Sequence, residues 1–255
     1  MTATPAGMTY ADYLKLDALL SAQAPLSDLH DEMLFIVIHQ TKELWLKQML
    51  HELGLACALV RRDEFAPAYK ALSRVSRIQA VMTLSWDVLA TLTPVDYSAF
   101  RDVLGTSSGF QSAQFRELEF RLGLKDPQYL AYHEGGSEGH ARLVAALEAP
   151  SLWDEANAAL ERAGFDLKDR SSDAIEAAWT QVYRDSERWF ELYQLAEKLV
   201  DIDDALAGWR HKHVLTITRI IGHKRGTGGS AGAAYLESTL SKRAFPELWS
   251  LRTSL

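Results

Sequence analysis

The chain has 255 residues, 47% of them apolar, so a sizeable core can form and a disordered chain is excluded. Its 27 basic and 34 acidic residues give a formal net charge of -7, which argues against a nucleic-acid-binding surface. The single cysteine, Cys57, excludes an intrachain disulfide framework and a cysteine-based zinc or iron–sulfur site. The N-terminus has no basic region followed by an apolar stretch, and the longest aliphatic/aromatic run, Met33–Ile38, is too short to span a membrane. A cytoplasmic protein without membrane or nucleic-acid partners is the expectation.

Residues 1–7 read as loose, and TYADYLKLDALLSAQ favours a helix by composition, closed by Pro25. The second helix is predicted from Asp31 to Leu55. Its opening MLFIVI is apolar nearly all round, the mark of a buried helix. His39 follows, sharing a face with Phe35 and Leu46, and Glu43 stands one turn beyond it. From local sequence alone, the plain reading of His39 is a core histidine satisfied by hydrogen bonds.

Tyr69 to Leu92 is again helical. Thr93, Pro94 and Asp96 form a start signal: an N-cap, a proline suited to the first position and an acid favoured by the helix dipole. That helix is predicted to reach Leu104 and stop at Gly105, with Tyr97 and Arg101 on one side of it. The loop Gly105–Phe110, which holds Ser108 and Gly109, is small and polar enough for a ligand to approach its backbone. A helix over Gln111–Leu122 follows. His133–His140 reads as a connection rather than a metal loop. Short helices are predicted at Ala141–Leu147 and Ser151–Ala163, and a long aromatic-striped one from Ser172 to Val200.

The segment Asp203–Ser230 carries the most information. Leu206, Trp209, His213, Ile217 and Ile220 recur at spacings of three and four, which puts a histidine inside an apolar stripe. Gly222 offers a left-handed C-cap, and Lys224 and Arg225 lead into Gly-Thr-Gly-Gly-Ser around Thr227. One ligand against the helix and another, anionic, under the loop would use both features. A last helix is predicted at Ala233–Leu240, and Phe245, Leu248, Trp249 and Leu251 equip the tail to dock. No period-two alternation, repeat or linker occurs. The fold class is all-α: a single-domain helical bundle over 1–255 around an interior site, with 1–22 as an N-terminal segment.

Four features bear chemistry: His213, His39, Arg101 with Tyr97, and the Thr227 loop. None of the eight histidines has an acid three residues before it, so a di-iron carboxylate bundle is excluded. His51-Glu52 lacks the second histidine of a zincin, and the loop at 222–230 is not a Walker A motif. A non-covalent haem needs only one axial histidine on a helix in an apolar pocket, and His213 has that setting. His211 points about 200° away around the same helix. His39 on an opposite wall would then read as a distal residue.

The segments MLFIVIHQTKELWLKQMLHEL, SWDVLATLTPVDYSAFRDVLGTSSGFQSAQFRELEF and DIDDALAGWRHKHVLTITRIIGHKRGTGGSAGAAYLE, with the ending FPELW…RT, resemble tryptophan 2,3-dioxygenases in order over most of the chain. The resemblance implies a helical homotetramer with one haem b per subunit. It also implies insertion of both atoms of O2 across the C2–C3 bond of the indole of L-tryptophan, giving N-formylkynurenine in the kynurenine route. By the same resemblance, His213 is the axial ligand, His39 is the distal residue that meets the indole N–H, and Arg101 pairs with the substrate carboxylate. Phe35 with Ile36, Val37 and Ile38, and Tyr97, belong to the substrate pocket, Thr227 meets the amino-acid end, and Ser108 and Gly109 lie beside the haem. Tyr10, Tyr13 and Leu14 match a segment that reaches into a neighbouring subunit. A dioxygenase of other indoles, a haem sensor without turnover and a purely structural helical protein are the competing readings. Arg101 and Thr227 together favour an enzyme whose substrate bears a free carboxylate.

Overall fold

The computed structural model describes residues 7–255, so the predicted loose start lies largely outside the described residues. Every regular element among them is a helix. The opening helix is split into α1 (Tyr10–Leu14) and α2 (Leu16–Leu20). Lys15 between them sits at φ 54° and ψ 43°, a left-handed conformation that ends the first helix and re-aims the second. Thr9 and Asp12 form a reciprocal capping box on α1.

The body is built on α3 (His30–Val60) and α4 (Phe65–Leu89), joined by a short turn. Both run beyond the predicted bounds at their shared end. No proline stops α3 after Leu55, and Pro67 falls in the first turn of α4, where its missing N–H costs nothing. Met49, Leu53, Ala56 and Val60 from α3 meet Ala68, Leu72 and Val75 from α4, all fully buried at spacings of three and four. Each such leucine or valine contributes roughly 1.5–3 kcal/mol on leaving water.

Helix α5 (Pro94–Phe100) starts as the sequence predicts, with Thr93 and Asp96 capping each other. It does not continue as an α-helix to Leu104: Arg101–Leu104 tightens into a 3-10 turn before Gly105, at φ 54°. Then come α6 (Ala113–Leu122), α7 (Glu138–Glu148) and α8 (Leu152–Arg162), capped by Ser112, Ser137 and Ser151.

The predicted helix from Ser172 to Val200 is corrected by the structure. It divides into α9 (Ser172–Arg184) and α10 (Phe190–Ile221), and α10 absorbs the whole of the His213 segment. No proline or glycine marks the break. Trp189 instead packs on Phe165, ring centroids 5.0 Å apart, and Tyr183 meets Tyr193 edge-on at 5.2 Å, which folds the two helices against each other. At the far end Gly222 has the expected positive φ of 61°, but its ψ of -136° takes it out of the left-handed helical region.

The tail, with α11 (Ala233–Ser238) and α12 (Pro246–Ser250), docks through Phe245, Leu248 and Leu251, all fully buried. Asp203 of α10, 0% exposed, receives the backbone N–H of Ala244 (3.0 Å) and Phe245 (3.3 Å) and the indole N–H of Trp249 (2.9 Å). Among the described residues no single helix is long and apolar enough to cross a membrane.

Candidate active site

Helix α4 packs against both α3 and α10, and a cavity of about 220 Å³ is lined by all three. His39 lines it from α3, Met82, Trp86 and Leu89 from α4, and Trp209, His213, Ile217 and Ile220 from α10. The predicted stripe of α10 is therefore the face that turns inward. His211, on the other side, donates its Nδ1–H to the Ala207 carbonyl one turn earlier and is not on the cavity wall.

The His213 ring lies flat on Trp86, centroids 4.3 Å apart and planes 14° from parallel, with Trp209 at 5.1 Å. Burial first, then the positive Lys42, with smaller contributions from His39 and Arg116, push its pKa down to about 3. At neutral pH it is an uncharged imidazole with a lone pair to offer, the form in which histidine ligates metals.

His39 has a defined tautomer. Its Nδ1 lies 2.7 Å from the Phe35 carbonyl oxygen, which can only accept, so Nδ1 carries the proton and Nε2 is left as an acceptor. Burial lowers the pKa of the ring and outweighs the Phe35 carbonyl, which favours protonation; Lys42 adds to the lowering. Phe35 packs on His39 at 4.2 Å and joins Tyr97 and Phe100 in an aromatic group at one end of the cavity. Burial raises the Tyr97 phenol, and the neighbouring Arg101 guanidinium opposes the rise.

The two predicted loops clasp each other over the cavity. Thr227 donates its hydroxyl to the Ser107 carbonyl, and Arg101 donates Nη2 to the Arg225 carbonyl. Glycine is required at 228, since a Cβ there would stand 2.7 Å from the Cβ of Ser108. At 232 a Cβ would meet the Lys224 carbonyl at 2.3 Å, so that glycine lets the loop fold back beneath α11. Ser108, Gly109 and Thr227 all line the cavity.

Of the residues singled out in the sequence, Phe35, His39, Tyr97, Ser108, Gly109, Thr227 and His213 are brought together on this wall. Arg101 is not on the wall itself: it stands at the loop junction, its Nε buried without a partner. Ile36, Val37 and Ile38 also lie off the wall. Ile38 packs with Trp86, Leu89 and Phe100 in the adjoining core, and Val37 is 38% exposed. A helix can give the cavity only one face, and Phe35 and His39 hold it. Tyr10 and Tyr13 are 76% and 73% exposed, and with Leu14 they do not touch their own chain's cavity.

Sequence reasoning missed Lys42, Trp86, Arg116 and Tyr235, which also line it. Lys42 had a signal, standing three residues after His39. Arg116 had another, the Arg116–Glu119 spacing of a helical ion pair. Glu119 is held between Arg116 Nη1 (2.6 Å) and Arg210 Nη2 (2.8 Å), which fastens α6 to α10 at the edge of the cavity.

These walls define a class: an all-helical protein with an interior, largely apolar cavity that two histidines of lowered pKa line from different helices, beside a clasp between two loops. The tryptophan 2,3-dioxygenase family model matches residues 1–175 and 168–255, and the chain belongs to that family. A tryptophan 2,3-dioxygenase of Caulobacter vibrioides is 64% identical, with 97% of this chain and 98% of that protein aligned. Proteins of the same name from Bacillus cereus and Polaromonas naphthalenivorans are 55% and 51% identical, each over 97% of this chain and 93% and 92% of their own length.

Proposed function

We propose that this chain is a haem-dependent dioxygenase that inserts both atoms of O2 across the C2–C3 bond of the L-tryptophan indole and releases N-formylkynurenine, opening the kynurenine route. The reading rests on family membership and on one observation: two neutral imidazoles, His39 and His213, face a single apolar cavity from different helices.

The residues fit haem b. His213 offers a neutral lone pair on an apolar wall, and Arg116 and the unpartnered Nε1 of Trp209 offer donors to the acidic side chains of a porphyrin. When bound, haem supplies the activation of O2. The chain's own residues bind and orient. Nε2 of His39 accepts the indole N–H, which turns the C2–C3 edge in a fixed direction. Phe35 and Tyr97 close on the ring and exclude water. Arg101, two donors in one plane, takes the carboxylate as its guanidinium turns from the Arg225 carbonyl, and Thr227 meets the ammonium end. Ser108 and Gly109, two small residues on the cavity wall, would lie beside the haem.

We assign residues 1–255 to one haem-binding domain in a cytoplasmic homotetramer, with 1–22 contributing Tyr10, Tyr13 and Leu14 to a neighbouring subunit's site. Their exposure supports the contribution to a neighbouring subunit.

The test is an absorbance spectrum of the reduced, haem-supplemented protein before and after L-tryptophan and air. A Soret band followed by the absorbance of N-formylkynurenine is expected. A Soret band without product would leave a haem protein of another function, and no Soret band would overturn the reading.

A further inference from the structure

Lys42 is an ionisable side chain on the cavity wall that the proposed reaction leaves without a task. It follows His39 by three residues and shares its side of α3. It is 7% exposed, and its Nζ lies 3.0 Å from the centroid of the Trp86 ring. Among the described residues Nζ has no hydrogen-bond acceptor. The nearby acids are engaged elsewhere: Glu43 accepts from Gln114 Nε2 at 2.8 Å, and Glu119 is shared by Arg116 and Arg210.

An indole face recovers part of the hydration an ammonium loses on burial, but it leaves the N–H donors without acceptors. Burial alone pushes the ammonium pKa down to about 7, with no anion of the protein drawing it back up. Two more donors on this wall stand idle, the Nε1 atoms of Trp86 and Trp209, whose rings are 5.4 Å apart. Three donors of this kind, with no acceptor of the protein's own, match a ligand that brings a carboxylate.

We propose that Lys42 anchors a carboxylate of the bound porphyrin, beside the indole N–H of Trp209. The proposal rests on the haem reading and adds to it a charged contact made by this chain's own lysine.

The experiment compares two probes, haem b and its dimethyl ester, in which both carboxylates are blocked. Each is titrated into the full-length wild type and Lys42→Met by Soret absorbance and tryptophan quenching, after circular dichroism confirms the fold. Lys42→Met is expected to bind haem b about tenfold or more weakly, the scale of a lost hydrogen bond to a charged group, and to bind the ester as the wild type does. Lys42→Arg is expected to restore most of the haem b affinity, and it carries the test if the methionine variant fails to fold. An equal loss with both probes would reduce Lys42 to a packing partner of Trp86 and overturn the proposal, as would no loss with either. A wild type that binds neither probe would overturn the haem reading, and the anchor with it.

Discussion

At the scale of single residues, the site depends on which form each group holds. His39 must be neutral with Nε2 free, and its Nδ1 bond to the Phe35 carbonyl selects that tautomer. Because its pKa is lowered from 6.5, the accepting form survives below that pH. The kcat/KM for L-tryptophan should therefore stay level through neutral pH and down past 6.5, falling only in more acid solution. A protonation step centred at 6.5 or above would count against the role of His39 as acceptor. Arg101 makes a different prediction, since its role depends on the substrate's charge. Arg101→Ala should weaken the apparent affinity for L-tryptophan by about 2–5 kcal/mol, the cost of truncating one partner of a buried charge pair. Tryptamine has no carboxylate and should not distinguish the variant from the wild type; a parallel loss on both would refute the assignment.

At the scale of elements, α10 connects stability to the site. Its inward face bears Leu206, Trp209 and His213, and the same helix holds the tail through Asp203. Replacing Asp203 with alanine strips a buried acceptor from two backbone N–H groups and an indole N–H. The expected cost is about 3 kcal/mol or more in unfolding free energy, read from denaturant midpoints. A loss well under about 1 kcal/mol would show that water reaches those donors as well as the carboxylate does. The Thr93 capping box is legible in the amino-acid sequence, because capping needs only a side chain and the backbone three residues on. The break at Asp185–Trp189 is not, because it rests on Trp189 meeting Phe165, over twenty residues earlier.

At the scale of the whole molecule, the cavity takes its walls from α3, α4, α5, α6, α10, α11 and the two glycine-containing loops, and the N-terminal segment does not line it. Tyr10, Tyr13 and Leu14 face outward, and so do Leu19, Leu20, Val37 and Trp45. In the proposed assembly these are side chains that a neighbouring subunit would cover. Deleting residues 1–14 should leave haem uptake intact, since no haem-facing residue is among them, yet lower kcat/KM by about tenfold or more through lost positioning. Full activity of the truncated chain would refute the contribution to a neighbouring site.

The sequence by itself determined the all-helical class, most helix starts, and the faces on which His39 and His213 lie. These follow from periodicity and capping, rules that act within about four residues. The motif segments also carried the family resemblance, and with it the candidate roles of Phe35, Tyr97, Arg101, Ser108, Gly109 and Thr227. The tertiary structure decided what no local rule reaches: that α10 runs unbroken from Phe190 to Ile221, that Trp86 lies flat on His213, and that Ile36 and Val37 turn away from the cavity. It also left Lys42 over an indole ring with no acceptor. The physical reason is that burial and partnership belong to the packed whole: a lysine three residues after a histidine is ordinary in sequence, and becomes a buried donor without an acceptor only in the packed cavity wall.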